Sequence, residues 1–191
     1  MKNNAYIIEL LNKIRLHNNE EALKSLFLLL HTPLFRFSFN ITQSQEESEE
    51  IVSDIFIEIW KKRNQLHEIS SPRNYFYQAV KNKSLNRLAK QKRQTALDTG
   101  QWLTPMNSVY FNPEKTMISG EIIKNINCAI NKLPPRCRII FKLIKEDGLK
   151  YAEVAGLLEI SIKTVESQMA IALKRIALCM HLDIPVRSTE L

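Results

Sequence analysis

Glycine is scarce in this chain: only 4 of the 191 residues are glycine. Stretches that alternate apolar with polar residues are also few, which argues against a sheet built from short strands and tight turns. Apolar residues instead recur at steps of three and four, as at Ile7, Leu10, Leu11 and Ile14. That spacing is the period of an amphipathic helix. The sequence therefore predicts an all-α protein.

Cysteine pairing and membrane insertion also have little support. Cys128, Cys137 and Cys179 are odd in number and lie at no spacing typical of a metal site. Because Cys128 and Cys137 fall in apolar helical patterns, we expect them in the core and expect no bound metal. The N-terminus lacks the apolar run of a signal peptide, and the longest apolar stretch, residues 26–30, cannot span a bilayer. A soluble, cytoplasmic protein is expected.

The motifs of common enzymes are missing as well. The sequence has no Gly-rich phosphate loop, no HExxH zinc signature, no nucleophile elbow and no paired carboxylates at a strand end. The acidic cluster at residues 46–50 could in principle bind a divalent cation. Carboxylates at a helix start are, however, favoured by the helix dipole without any ligand. We therefore expect no enzyme, no cofactor and no small-molecule substrate.

Positive charge is in excess, with a formal net charge of +7 at pH 7, and this favours a polyanionic partner. The two signs are separated along the chain. Between residues 45 and 58 every charged residue is acidic, whereas between residues 61 and 93 all but Glu68 are basic. Adjacent blocks of opposite sign predict different partners for neighbouring surfaces, although two solvated helix faces would give the same pattern.

The last third of the chain has the pattern of a helix-turn-helix. Residues 149–158 have helical periodicity, and Ser161 is a suitable N-cap for a second helix from Ile162 to about Leu178. One face of that helix is apolar, with Val165, Met169, Ala172 and Ile176. The other face carries Lys163, Glu166, Ser167, Gln168, Lys174 and Arg175. These residues can meet phosphates and base edges, which predicts that the second helix enters the major groove of DNA.

Helices are predicted along the rest of the chain too. The expected segments are 22–30, 34–41, 49–63 with Ser44 or Ser48 as its cap, 72–93 with an interruption at 82–84, 118–133, and 136–146. Gly148 lies where a helix C-cap glycine belongs. Residues 94–117 have no periodicity and exceed the usual length of a connection inside a domain. We therefore expect two small helical domains, 1–93 and 118–191, joined by a flexible linker.

Residues 48–60 read Ser-Glu-Glu-Ile-Val-Ser-Asp-Ile-Phe-Ile-Glu-Ile-Trp, an acidic segment that ends in Trp. This segment resembles the acidic helix of the extracytoplasmic-function sigma factors, small promoter-specificity subunits of bacterial RNA polymerase. Asn112-Pro113-Glu114 resembles the entry into the second domain of that family. Residues 133–141 and 146–155 resemble that domain, and residues 163–167 fit its recognition helix. The similarity runs in order from about residue 20 to residue 180.

The resemblance implies a factor that directs core RNA polymerase to specific promoters and helps to melt them, without chemistry of its own. The family's acidic helix docks on the clamp of the largest polymerase subunit. Glu50, Asp54 and Glu58 share one face of this helix and are the expected polymerase-binding residues. Trp60 is expected to pack rather than to contact the polymerase.

The resemblance also implies two DNA-binding sets. The minus-ten element, once melted to single strands, would be bound by Tyr75, Tyr77, Asn82, Lys83, Ser84, Asn86 and Arg87. Of these, the residues at 82–86 would grip a flipped base in a short loop. Phosphates would be bound by Lys81, Arg87, Lys90, Lys92 and Arg93. The duplex minus-thirty-five element would be read by Lys163, Thr164, Glu166, Ser167, Gln168, Ile171 and Lys174.

Two departures from the family pattern concern the second domain. Many relatives carry Arg where this chain has Gln168 and Ile171, so fewer phosphate contacts are expected there. Gln168 could instead pair with adenine N6 and N7. Glu159 stands in the turn where a glycine is frequent, which could alter the backbone.

The resemblance further implies an inhibitory anti-sigma partner, often membrane-anchored in this family, and a linker that threads near the polymerase active site.

Two other interpretations are open. A conventional regulator would bind duplex DNA alone, usually as a dimer, and would need a dimer seam or a sensory domain in its first half. A helical adaptor would leave the polar face of the helix-turn-helix unexplained. Residues 1–90 have neither βα alternation nor sustained heptads.

Overall fold

The computed structural model describes residues 4–66, 69–95 and 120–179. All regular structure in these ranges is helical, which confirms the predicted fold class. The helices are α1 (Asn4–His17), α2 (Glu20–Thr42), α3 (Gln45–Lys61), α4 (Pro72–Thr95), α5 (Gly120–Asn131), α6 (Pro135–Lys145), α7 (Tyr151–Leu158) and α8 (Ile162–Cys179), with a short 3-10 turn at Arg63–Gln65. The chain forms two compact units, Met1–Thr104 and Pro105–Leu191. Most of the predicted linker, 94–117, lies outside the described residues.

The first unit buries the apolar stripes of α1 to α4 against one another. Ile7 and Ile14 of α1 are fully buried. The two predicted segments 22–30 and 34–41 are in fact one helix, α2, with Pro33 in its interior. Proline removes one backbone hydrogen bond from a helix. Leu30 and Leu34 are both 0% exposed, so packing on either side of Pro33 keeps the two halves in one helix.

Helix α3 begins four residues earlier than its predicted start at Glu49. Ser44 is the N-cap, and its Oγ accepts a hydrogen bond from the backbone N–H of Glu47 at 3.3 Å. Ser48, the alternative cap, lies inside the helix and is buried, with its hydroxyl 2.8 Å from Thr42 Oγ1. The cap therefore brings Glu46 and Glu47 into the first helical turn, where the helix dipole favours carboxylates.

Helix α4 is continuous, so the interruption predicted at residues 82–84 was wrong. Ser84 is completely buried, and its hydroxyl lies 3.0 Å from the hydroxyl of Ser38 in α2. Lys81 is also buried. Polar residues here do not mark a loop, because neither Gly nor Pro breaks the backbone and Ser84 packs on α2.

The second unit contains the helix-turn-helix as predicted. Gly148 has φ 73° after the end of α6, and Leu149 N–H bonds to Leu143 O at 2.9 Å, so the glycine allows a left-handed exit from the helix. Ser161 Oγ accepts from the backbone N–H of Thr164 at 3.0 Å and caps α8. Val165, Met169 and Ala172 are buried, so the predicted inner face of α8 is confirmed.

The prediction of core positions for the cysteines holds for only one of them. Cys137 in α6 is buried, whereas Cys128 in α5 is exposed. Periodicity places Cys128 near the apolar stripe of its helix but cannot say how wide a stripe the neighbouring helices cover.

The two tyrosines that flank Phe76 provide a test of this core. Tyr77 is 1% exposed and packs edge-on against Phe37, with ring centroids 5.1 Å apart, whereas Tyr75 is 44% exposed. Tyr77→Ala should lower the free energy of unfolding by about 3–5 kcal/mol, as for other large aromatic deletions. The matched change Tyr75→Ala should cost less than about 1 kcal/mol. Urea unfolding followed by circular dichroism measures both, and equal losses would contradict the placement of the two rings.

Candidate functional site

A row of exposed carboxylates runs along α3. Glu50, Asp54 and Glu58 recur at steps of four, with side-chain exposures of 54%, 47% and 50%. We call these three residues the acidic ridge. The helix presents its opposite face to the core, since Ile51 and Ile55 are each 2% exposed. The ridge therefore sits on a rigid, packed helix rather than on a loop.

The acidic ridge is paired with basic side chains of α4. Lys83 Nζ lies 2.6 Å from Glu58 Oε1 and 3.7 Å from Asp54 Oδ2. Arg87 Nη2 lies 2.9 Å from Glu50 Oε2. We call these contacts the α3–α4 ion pairs. They join residues expected to bind polymerase to residues expected to bind DNA.

These contacts shift the pKa values of one acid, Glu58, and one base, Arg87. The hydrogen bond from Lys83 lowers the pKa of Glu58 below its usual value, and the charges of Lys83 and Lys62 act in the same direction. The hydrogen bond to Glu50 raises the pKa of Arg87. Both groups are largely solvated, so the pairs are of the surface kind, typically worth about 0–1 kcal/mol each.

The α3–α4 ion pairs were missed by the sequence reasoning. A signal was present, because residues 50, 54 and 58 and residues 83 and 87 have the same step of four with opposite charge. Two such rows pair when their helices lie side by side. The side-by-side packing of α3 and α4 is a feature of the tertiary structure, and charge spacing alone does not predict it.

The predicted minus-ten set divides into exposed and buried members. Tyr75, Asn82 and Asn86 are exposed and follow one another on one side of α4 at helical spacing, and Lys90 continues that row. Lys83 and Arg87 lie beside them in the α3–α4 ion pairs. We call this row the open face of α4.

Tyr77 and Ser84 do not belong to the open face. Both are buried in the core of the first unit, so their assignment to DNA binding is corrected to core packing. The expected base-gripping loop is a helical segment instead. Of the residues expected to bind phosphates, Lys81 is buried, and the side chains of Lys92 and Arg93 lie outside the described residues.

Trp60, expected to pack, is half-buried at the end of α3. The guanidinium of Arg63 lies over its ring, 4.6 Å from the centroid. Arg63 also donates to the carbonyl of Trp60 at 2.9 Å and bonds to Asn18 Oδ1. The indole is therefore held by its own unit.

The predicted minus-thirty-five set lies on the outer face of α8. Its exposed members are Lys163, Glu166, Ser167, Ile171 and Lys174, while Thr164 and Gln168 are half-buried. Two of the hydroxyls are engaged internally: Thr164 Oγ1 lies 2.8 Å from Ser161 Oγ, and Ser167 Oγ donates to Lys163 O at 2.9 Å. Gln168 Oε1 accepts from the thiol of Cys137 at 2.8 Å. Sequence reasoning gave Cys137 no such contact.

The turn before α8 has the backbone that a glycine would favour. Glu159 has φ 55° and ψ 46°, in the left-handed region, and its N–H bonds to Ala155 O. Glu159 therefore adopts the left-handed conformation that a glycine would favour at this position. The backbone strain of such a residue is of the order of 1–2 kcal/mol.

The described part of the chain has neither a metal-binding cluster nor a membrane-spanning helix. No group of three or more His, Cys, Asp or Glu side chains there is arranged to hold a metal ion. Among the same residues, no helix combines the length and the apolar character needed to cross a bilayer.

The α3–α4 ion pairs predict a specific pH dependence. Because the folded pKa of Glu58 is depressed, its pairing stabilises the fold above the unfolded pKa, near 4.3, and that contribution disappears as the pH falls through the folded pKa. Lys83→Met should raise the pKa of Glu58 and lower stability at neutral pH by less than about 1 kcal/mol. The difference from wild type should vanish in acid. NMR titration of the Glu58 carboxyl and urea unfolding at several pH values measure these effects.

The matched control is Lys13→Met, which removes a separate exposed lysine–glutamate contact, from Lys13 Nζ to Glu9 Oε1 at 2.6 Å. That change should leave the titration of Glu58 as in wild type. An unshifted Glu58 pKa in Lys83→Met would show that the ion pair does not form in solution.

Comparisons with known proteins bear on both units. The model of sigma-70 region 2 matches residues 26–94, and the model of sigma-70 region 4 matches residues 123–176. The two matches fall in the same order as the two predicted domains and together span well over half of the chain. No curated protein matches it.

Two solved structures match the chain. One is the sigma factor RpoE in complex with the anti-sigma factor NepR from Bartonella quintana, with a TM-score of 0.53, 19% identity, and coverage of 84% of this chain and 98% of that one. The other is CnrH in complex with the cytosolic domain of CnrY, with a TM-score of 0.45, 14% identity, and coverage of 95% and 98%.

A match to region 2 followed by a match to region 4 agrees with the resemblance of the acidic helix and of the helix-turn-helix to this family. The chain therefore belongs to the sigma-70 family, as an extracytoplasmic-function sigma factor that acts in promoter-specific initiation of transcription.

Proposed function

We propose that this sigma factor docks on core RNA polymerase through the acidic ridge and opens promoter DNA with the adjacent open face of α4. Helix α8 would bind the duplex minus-thirty-five element. The observation that carries the proposal is the adjacency of the two charged faces: the acidic ridge and the basic side chains of α4 are in direct contact. The proposed division of labour assigns 1–93 to polymerase and the minus-ten element, 94–117 to the linker and 118–191 to the minus-thirty-five element.

Docking requires that basic side chains of the polymerase can reach the acidic ridge. Its three carboxylates are each about half exposed, so a basic surface can reach them without unfolding the helix. The α3–α4 ion pairs are exposed contacts of small net energy, and they can be exchanged for contacts with a partner at little cost. Complementary charge would also speed the encounter between the two proteins.

Promoter opening requires a surface that compensates for lost base stacking. Tyr75 can stack on an unpaired base, an interaction worth about 1–3 kcal/mol per base. The amides of Asn82 and Asn86 are exposed on the same side of α4 and can hydrogen-bond to base edges. Lys83, Arg87 and Lys90 can bind phosphates, which supplies affinity but no sequence choice.

Recognition of the upstream element falls to the outer face of α8. Lys163, near the N-terminus of the helix, and Lys174 are exposed and suited to phosphates. Glu166, Ser167 and Gln168 lie between them and are suited to base edges. As in other helix-turn-helix proteins, the N-terminal residues of the second helix would reach furthest into the groove.

An inhibitory protein partner is part of the proposal. The similar sigma factor from Bartonella quintana was solved with an anti-sigma factor bound. We expect a comparable partner here. Because the anti-sigma partners of this family are often membrane-anchored, the same is expected of this partner. The sigma factor itself would perform no chemistry and would act in the cytoplasm, where the polymerase is.

The docking role is tested by neutralising the acidic ridge. The variant Glu50→Gln, Asp54→Asn, Glu58→Gln should bind core polymerase at least tenfold more weakly, equivalent to about 1.4 kcal/mol or more. Its helical content should be unchanged by circular dichroism. Fluorescence anisotropy with labelled sigma factor and purified core measures the affinity.

The control for this variant changes the same number of charges elsewhere in the first unit. Glu9, Glu20 and Glu21 are exposed carboxylates on α1 and α2. Their triple conversion to glutamine should leave the affinity within about twofold of wild type, because surface charges away from the interface contribute little. Equal affinities for the two triple variants would refute docking through the acidic ridge.

The opening role is tested at Asn82. Asn82→Ala should reduce the permanganate reactivity of minus-ten thymines in complexes with core polymerase, because the amide that holds an unpaired base is gone. Binding of the same holoenzyme to the closed duplex should change far less. The control is Asn12→Ala, at an exposed asparagine of α1, and its complexes should show the thymine reactivity of wild type. A wild-type footprint from Asn82→Ala would remove this residue from the melting surface.

A further inference from the structure

One contact behind the recognition helix bears on which base the helix selects. Cys137 lies in α6 and is 2% exposed, while Gln168 lies half-buried on α8. The thiol donates to Gln168 Oε1, with the sulfur and oxygen 2.8 Å apart. The residues are 31 positions apart in sequence, so the contact exists only because α6 packs on α8.

The sulfur is suited to act as a donor. Burial raises the pKa of the Cys137 thiol, and the nearby charge of Arg175 opposes this shift with a smaller effect. The thiol therefore keeps its proton at neutral pH and can donate it. A buried thiol is otherwise a small apolar group, and Gln168 Oε1 provides it with a polar contact.

The contact has a chemical consequence for the amide. The oxygen and nitrogen of a glutamine side chain point in directions roughly 120° apart, a consequence of planar amide geometry. With Oε1 turned toward Cys137, Nε2 is the end left for an outside partner. Nε2 has no hydrogen-bond acceptor among the residues that the structure describes.

We propose that Cys137 is a positioning residue for base recognition, because its thiol holds Gln168 Oε1 and directs Nε2 toward the major groove as a hydrogen-bond donor. The inference rests on the proposed function of α8. It also bears on the sequence-based expectation that Gln168 could pair with adenine N6 and N7. A glutamine that pairs with adenine uses Oε1 and Nε2 side by side, and here Oε1 faces the protein.

The donor-only amide favours bases that present acceptors in the major groove. Guanine offers O6 and N7, whereas cytosine offers its N4 amino donor. Gln168 therefore prefers guanine at the position it contacts and disfavours cytosine. Removal of the thiol frees the amide to rotate, and adenine then becomes a partner for both of its ends.

The experiment uses the full-length sigma factor with core polymerase and a promoter library randomised in the minus-thirty-five element. Sequenced transcripts give the base preference at each position. Gln168→Ala identifies the contacted position as the one at which a guanine preference is lost. Cys137→Ala should shift the same position, and no other, from guanine toward adenine by roughly fivefold, the size expected for one hydrogen bond.

Three further variants separate positioning from packing. Cys137→Ser retains a hydroxyl donor and should keep the wild-type preference. Cys128→Ala removes an exposed thiol of α5 and should change nothing. In the Gln168→Ala background, Cys137→Ala should have no further effect on preference.

Several outcomes would overturn the inference. Unchanged preferences in Cys137→Ala, a uniform loss of transcription with unchanged preferences, or a Cys137→Ser variant that behaves like Cys137→Ala would each do so. A Gln168→Ala variant with wild-type preferences would do so too. In all of these the wild-type protein still initiates at specific promoters, and the proposed function stands. If the wild-type protein gives no promoter-specific transcripts, the proposed function itself fails.

Discussion

The packing of α4 across α2 is the constraint on which the first unit depends. It is made by the edge-on contact of Phe37 with Tyr77 and by the buried hydroxyl pair of Ser38 and Ser84. These contacts fix the rotation of α4 about its own axis. Once Tyr77 and Ser84 face inward, helical geometry turns Tyr75, Asn82 and Asn86 outward. A buried core contact thus decides which side chains of α4 are exposed.

The same packing brings α4 beside α3 and creates the α3–α4 ion pairs. Free in solution, the acidic ridge is balanced in part by Lys83 and Arg87, so neither surface presents its full charge. A basic partner on the ridge would compete with these two side chains. Binding of a partner to the acidic ridge would therefore change the positive charge that Lys83 and Arg87 present. By equilibrium linkage, binding at Lys83 and Arg87 would change the affinity of the ridge for its partner in the same proportion. In the second unit the contact of α6 with α8 has an equivalent role, since a buried residue orients an outward-facing amide.

Periodicity and capping gave much of the fold from the sequence. The helix-turn-helix, the cap at Ser161, the inner face of α8 and the exit at Gly148 depend on residues close together in the chain, and local chemistry defines them. The acidic ridge was also predictable, because residues four apart in a helix share a face.

What the sequence could not supply depends on contacts between distant residues. The inward placement of Ser84 in α4 depends on its contact with Ser38, which is 46 positions away. The continuity of α2 through Pro33 rests on burial at both sides of the proline. The contact of Cys137 with Gln168 depends on packing between two helices. In each case an apparent local signal, a polar cluster, a proline or an apolar pattern, was outweighed by tertiary contacts.

The position of Lys83 between two carboxylates has a consequence for how this surface tolerates change. Its ammonium group lies 2.6 Å from Glu58 and 3.7 Å from Asp54, so loss of one acid leaves a second within reach of a small rotation. Arg87 lies 2.9 Å from Glu50, and the charges of Glu47 and Asp54 act on it as well. Both basic side chains thus have more than one carboxylate in range. Loss of a single acid from the row should accordingly leave each cation with a remaining counter-charge.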